Sequence, residues 1–340
     1  DDYTHNMAKA ISADGNVIVG QLWHEDEWVF FRWTSDNAFI PLEEYLDYKW
    51  ADVLDVSGNG NEIVGYTRIN DDPDTDSALL WTHNGTAVIL LRLGEPVGVR
   101  RSQASGVSTD GEVVVGFACI ENDYFPFRWT YHDGMSLLGD LPGGDTFSVA
   151  EATNANGDVI VGSSSSDLGY EASYWTTDGG LVGLGDLPGG SFSSWASAVS
   201  DDGSVVVGTG NSESGTEAFR WDSSGGMTGL GFVPGTDRSS AWDVSGDGSV
   251  IVGQSICCGQ GWEPEAFVWT SKLGIRSLYD LLVSIGVSDV AGWKLTHATG
   301  VTTDDQFIYI TGYGESSPGL EESFLVKIDR SDDIFDVILK

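Results

Sequence analysis

The strongest constraint on this chain is a unit of about 46 residues that recurs seven times, because a repeat of that length must pack on its own copies to bury an apolar core. Every copy opens on the same hairpin. Six are regular: AISADGNVIVG (10–20), DVSGNGNEIVG (55–65), GVSTDGEVVVG (106–116), ATNANGDVIVG (152–162), AVSDDGSVVVG (198–208) and DVSGDGSVIVG (243–253). The seventh, GVTTDDQFIYITG (300–312), carries Asp305 where the others have the turn glycine. Asp-Gly or Asn-Gly between β-branched runs supplies the left-handed backbone of a tight hairpin, so the motif reads strand, turn, strand.

A third strand follows and ends on tryptophan: Trp33, Trp81, Trp129, Trp175, Trp221 and Trp269, with Val326 at that place in the seventh copy. A polar turn and a fourth strand complete the unit, as in GGMTGLG (225–231). Four antiparallel strands in about 46 residues make one propeller blade. The expected fold is therefore all-β, a single-domain seven-bladed β-propeller over 1–340 with blades near 8–48, 49–98, 99–146, 147–192, 193–237, 238–288 and 289–340. The 45 glycines and 13 tryptophans agree with many short strands, and each indole is expected to fill the gap between neighbouring sheets. A closed ring removes sheet edges that invite aggregation. Either DDIFDVILK (332–340) supplies the last blade's fourth strand, or residues 1–7 add a closing one.

Charge restricts the partners. With 52 acidic against 16 basic residues and a net charge of −36, the chain repels phosphate backbones and anionic membranes. No run of 18 apolar residues is present to span a bilayer as a helix. The chain begins at Asp1 without a signal peptide, which reads as the mature form of a secreted, extracellular protein from a saline habitat. Cys119, Cys257 and Cys258 are too few for a disulfide framework and read as thiols, with a vicinal disulfide or metal binding as alternatives.

The DGxVVVG hairpin, the AFRWT strand, the GLGDLPGG exit (183–190, nearly repeated at 138–144) and LYDLLVSIGVSDVAGWKLTHATGVTTDDQ (278–306) together resemble the HAF-repeat family of bacterial extracellular proteins. The resemblance covers nearly the whole chain. It implies an extracellular location and a propeller-like fold, and carries over no catalytic residue. Val326 and Asp305 depart from the pattern and mark the last blade as irregular.

In a four-stranded blade the loop between strands two and three and the loop to the next blade share one rim, where function concentrates. On that rim Asp71, Asp72, Asp74 and Asp76 could wrap a Ca²⁺ ion, although the glycine and distal Glu of an EF-hand loop are missing; a solvated acidic loop is the plainer reading. The interblade loops bring in Lys49, Trp50, Arg100, Arg101, Trp195, Arg238, Trp242, Trp293, Lys294 and His297, aromatic and basic side chains that suit a sugar; the plainer alternative is rim packing and local ion pairs. The turn acids such as Asp14 and Asp247 read as turn formers.

No zinc, triad, GxSxG or phosphate-loop pattern is present. The expected function is an extracellular binding or structural scaffold whose partner is a glycan or another cell-surface protein. The alternative is a lyase or hydrolase of an anionic polysaccharide working at the channel mouth, with His297 in a lyase role.

Overall fold

The computed structural model describes residues 5–24, 27–36, 38–42, 50–68, 76–83, 88–94, 96–177, 180–257 and 263–330. Among them the chain is all-β with one short helix. The strands form antiparallel meanders in step with the repeat. The first unit holds β1 (His5–Ile11), β2 (Val17–His24), β3 (Glu27–Thr34) and β4 (Ala38–Pro41), and the second β5 (Trp50–Val56), β6 (Glu62–Arg68), β7 (Asp76–His83) and β8 (Val88–Arg92). The third holds β9 (Val99–Val107), β10 (Val113–Ile120), β11 (Asp123–Thr130) and β12 (Gly134–Leu137), and the fourth β13 (Gly143–Thr153), β14 (Val159–Ser166), β15 (Gly169–Thr176) and β16 (Gly180–Gly183). The fifth holds β17 (Gly189–Val199), β18 (Val205–Ser212), β19 (Gly215–Asp222) and β20 (Gly226–Gly229). The sixth holds β21 (Arg238–Val244), β22 (Val250–Ile256), β23 (Pro264–Thr270) and β24 (Gly274–Ser277). Helix α1 (Leu278–Ser284) leads to the last unit, β25 (Lys294–Thr303), β26 (Phe307–Ser317) and β27 (Leu320–Asp329). His5–Met7 belong to the first strand of the first unit, paired with β2, rather than to an added closing strand. The proposed fourth strand at 332–340 lies outside the described residues.

The hairpins are built as their chemistry requires. Ser12 Oγ donates to Asp14 Oδ1 at 2.6 Å and accepts the Val17 N–H at 3.0 Å; Ser108 and Ser245 repeat this with Asp110 and Asp247. Gly60 has a φ of 72°, and a Cβ there would stand 2.3 Å from Val17 Cγ2 of the preceding unit, so both conformation and space demand glycine.

From the second unit to the sixth, each tryptophan packs backwards onto the preceding unit, where a leucine just past that unit's fourth strand meets it. Trp81 shares a core with Leu42, Trp129 with Leu93, Trp175 with Leu138, Trp221 with Leu184 and Trp269 with Leu230. Each of these leucines donates its N–H to its own unit's third strand, at the carbonyls of Phe30, Ala78, Pro126, Ala172 and Ala218. Val326 departs from the pattern for a physical reason: α1 places Leu278, Leu281 and Leu282 between units six and seven, in one core with Val250, Val252 and Val326. Ser277 caps the helix by accepting the Asp280 N–H.

Successive units are tied by backbone-to-side-chain bonds. Ser102, Ser194 and Ser239 accept the N–H groups of Ala78, Ala172 and Ala218 at 2.9 Å, and Asn6 Oδ1 accepts that of Ser323, which ties the last unit to the first. β27 also meets β1 in a parallel bridge, His5 to Glu321, of the kind that links β11 to β13 and β15 to β17.

Candidate functional site

The first strand of every unit carries a β-bulge, an extra residue that opposes nothing on its partner strand and is thereby re-aimed. The bulges fall at Lys9, Leu54 and Ser105, then at Glu151, Ser197, Trp242 and Thr299. All of them line one cavity of about 530 Å³. Toward the hairpin-turn side its wall ends in a collar of bonds between turns: Gly58 N–H to Thr109 O, Asp110 N–H to Ala155 O, Ala155 N–H to Asp201 O and Asp201 N–H to Gly246 O. Arg330 extends the collar by donating to Asp247 Oδ2 and to the Asp304 carbonyl.

Three acids in this wall titrate far above their ordinary range because burial disfavours their charge. Asp55 is pushed up to about 6, and Glu151 and Asp243 to about 7. Asp55 accepts the N–H groups of Val56 and of Val107 in the next unit, at 2.8 and 2.9 Å; Asp243 does the same with Val244 and Val301, at 2.8 and 2.7 Å. These two carboxyls are structural ties. Sequence reasoning missed all three, and the signal available was their place just before or at the start of the Val-Ser or Ala-Thr step that opens each hairpin.

On the opposite side, where the loops between strands two and three lie, five rings from three consecutive units form a continuous ribbon. Phe117, Tyr124, Phe147, Tyr170 and Trp195 follow one another with centroids 5.1 to 5.4 Å apart. Tyr170 is 42% exposed, while Tyr124, Phe147 and Trp195 are half-buried. Arg101 extends the ribbon, its guanidinium 5.5 Å from the Phe117 centroid and 5.9 Å from that of Tyr124. Beyond Trp195 lies a polar hollow of about 500 Å³ lined by Ser191, Asn211, Ser214, Thr216 and Arg238.

The structure divides the aromatic and basic set that the sequence offered as one rim cluster. Arg101 and Trp195 stand at the two ends of the ribbon, and Arg100 beside it donates to the Glu121 carbonyl at 3.5 Å. Trp242 and His297 form a second group, a stack in which His297 lies 5.3 Å from Trp242 and 4.3 Å from Tyr313. Burial holds this imidazole down at about 4, so it is neutral at physiological pH. Trp293 and Lys294 line a separate cavity of about 780 Å³ with Tyr279 and Glu315, and Lys294 pairs with Glu315 at 3.2 Å. Trp50 opens β5 opposite Arg68. Lys49 lies outside the described residues, as does Cys258.

The Asp76 carboxylate is engaged by two arginines. It is 3% exposed and held between Arg68 of its own unit at 3.0 Å and Arg101 of the third unit at 3.6 Å, so its charge is already countered within the protein. Asp71, Asp72 and Asp74 lie outside the described residues, and among those described no group of three His, Cys, Asp or Glu side chains is placed to hold a metal. Asp76→Asn is expected to cost about 2 kcal/mol, since it leaves two half-buried guanidinium groups facing an amide. Urea denaturation at constant pH reads this as a lower midpoint with unchanged slope.

No protein-family model matches the chain, and no curated protein matches its sequence. Solved structures do. The chain is similar to the oligogalacturonate lyase of Vibrio parahaemolyticus, with a TM-score of 0.61 and 10% identity over 97% of this chain and 91% of that one. It is also similar to the β-propeller domain of the Trilobed protease from Pyrococcus furiosus, with a TM-score of 0.57 and 10% identity over 97% and 99%. Against a structure from a study of two prolyl endopeptidases the TM-score is 0.62 at 11% identity, covering 96% of this chain and 47% of that one, so the chain spans about half that protein's length. The fold is β-propeller-like. Identities this low carry no activity with them.

Proposed function

We propose that this chain is a closed, seven-bladed β-propeller of HAF-repeat type that acts outside the cell as a binding scaffold, holding a neutral glycan along the aromatic ribbon. The count of seven is supported by the repeat and by the bulge in every first strand. Closure is supported by the Asn6–Ser323 bond and the β27–β1 bridge, which repeat ties found between earlier units.

The observation that carries the binding reading is the unbroken row from Phe117 to Trp195. Sugar rings present flat CH faces to aromatic faces, and hydroxyl groups from Ser191 to Thr216 stand next in line. The charge balance favours a neutral ligand over a polyanion. Arg101 is committed to Asp76, Arg100 to a carbonyl, and the net charge of −36 repels a polyanion. Against the lyase role for His297, its imidazole is half-buried and stacked on both Trp242 and Tyr313.

A panel of neutral and uronate-containing polysaccharides tests both. Affinity electrophoresis should show retardation by a neutral glycan, with Tyr170→Ala and Trp195→Ala each weakening it by about tenfold, near 1.4 kcal/mol. Uronate substrates should give no ultraviolet signal of unsaturated product. Retardation only by uronates, or equal binding by both variants, would overturn the proposal.

A further inference from the structure

The cavity ringed by the bulged residues is separate from the ribbon and has a chemistry of its own. Glu151 faces it from the fourth unit and makes no hydrogen bond or ion pair among the described residues; burial alone raises its titration. On either side, at the same level of the neighbouring first strands, stand Ser105 and Ser197, and the Ser105 hydroxyl is buried without a partner. Trp242 and Leu54 contribute apolar wall at that level. A bulge conserved in register around the cavity, presenting one unengaged carboxyl between two hydroxyls, is arranged as a site rather than as packing.

The wall's other charges are spoken for. Lys9 is drawn to Asp52 at 4.0 Å, Arg330 is held by Asp247 and the Asp304 carbonyl, and Asp55 and Asp243 spend both oxygens on backbone N–H groups. Asp201, Asp247, Asp304 and Asp305 line the outer part of the same cavity and favour the approach of a cation. A hard divalent ion wants six to eight oxygens, and one unengaged carboxyl does not supply them. A primary ammonium has three donors, which match one carboxylate and two hydroxyl oxygens, and its alkyl chain matches the indole and leucine.

We propose that this cavity binds a small primary alkylammonium, with Glu151 as counter-ion, Ser105 and Ser197 as further acceptors, and Trp242 as the wall for its chain. The probe is n-butylammonium chloride titrated into the full chain in 0.5 M NaCl, where non-specific attraction to an acidic protein is screened, and followed by saturation-transfer NMR. Saturable binding is expected, with about tenfold loss in Glu151→Gln and a smaller loss in Ser197→Ala. Tyr170→Ala, on the far side, should bind the probe as the parent does, so failure here is distinguishable from failure of the glycan site. The proposal is overturned if the parent shows no saturable binding, if Glu151→Gln binds equally well while its circular dichroism and melting are those of a folded protein, if 1-butanol competes as strongly as the amine, or if Ca²⁺ displaces the probe at equal concentration.

Discussion

A chain cut after Arg330 is expected to melt about 5 °C below the 340-residue chain, with Phe335→Ala alone giving most of that loss. A leucine follows the fourth strand in each of the first six units, twelve residues beyond the tryptophan in the second, at Leu93, and nine in the others. Leu42, Leu138, Leu184, Leu230 and Leu278 lie nine residues beyond Trp33, Trp129, Trp175, Trp221 and Trp269, and each joins the core shared with the next unit. Nine residues beyond Val326 the sequence places Phe335. The described residues of the last unit and the first leave a groove of about 360 Å³, lined by Ile18, Phe31, Trp33, Phe39, Phe324 and Leu325, and the repeat leads to the expectation that Phe335 fills it. Phe39 and Leu325 are 43% and 38% exposed there. Loss of a core Phe costs about 3–5 kcal/mol, and at about 2.1 cal/mol/K per residue the unfolding entropy of a chain this size converts that to about 5 °C. Differential scanning calorimetry of both variants reads it directly. Melting unchanged by either would mean that the groove is filled otherwise.

The second large effect is on pH. Asp55, Glu151 and Asp243 titrate near 6 to 7 in the folded protein, above their ordinary values of 3.8 to 4.5. Between about pH 4 and 7 these acids make the folded state hold more protons than the unfolded one; His297, held down at about 4 by burial, offsets one of the three up to about pH 6.5, and the net stability falls as pH rises through that window. Asp14, Asp202, Asp247 and Asp304 are depressed and act in the opposite sense, but only below about pH 4, so they leave the window alone. Each raised acid is expected to contribute about 1–2 kcal/mol after allowance for its contact with the water-accessible cavity. Asp55→Asn and Asp243→Asn remove the charge and keep an oxygen for the backbone N–H groups of Val107 and Val301, but turn an amide NH2 toward those of Val56 and Val244, a cost that does not vary with pH. The double variant should start below the parent at about pH 3.5, because two N–H groups lose their acceptors, and should lose less stability than the parent between there and pH 8, giving a flatter profile. A parent more stable at pH 8 than at pH 5 would reverse the assignment.

Much of the scaffold is legible in the sequence because its determinants are local. The Ser-x-Asp-Gly turn closes on itself within five residues of Ser12, and each third-strand Trp is recognisable without knowing its neighbour. The site is less legible because it is assembled between units. The ribbon draws Phe117 from a second strand, Tyr124 and Tyr170 from third strands, and Phe147 and Trp195 from first strands, so no linear pattern announces it. Tyr124 and Tyr170 do share a position five residues before Trp129 and Trp175, the one local clue. Asp76 occupies that same position in the second unit, five residues before Trp81, where it engages Arg101 of the third. A sequence shows both residues as available for ligand; only the packed structure shows that they satisfy each other. Glu151 is hidden differently, as one of 52 acidic residues whose distinction is a bulge.

The most direct measurement of the central claim is a crystal structure of the protein with the neutral glycan that binds it best. Sugar rings should lie along Tyr124, Phe147, Tyr170 and Trp195, with hydroxyl groups reaching Ser191 and Asn211. Electron density for the glycan elsewhere, against Trp293 or in the cavity beside Glu151, with the ribbon bare, would contradict it.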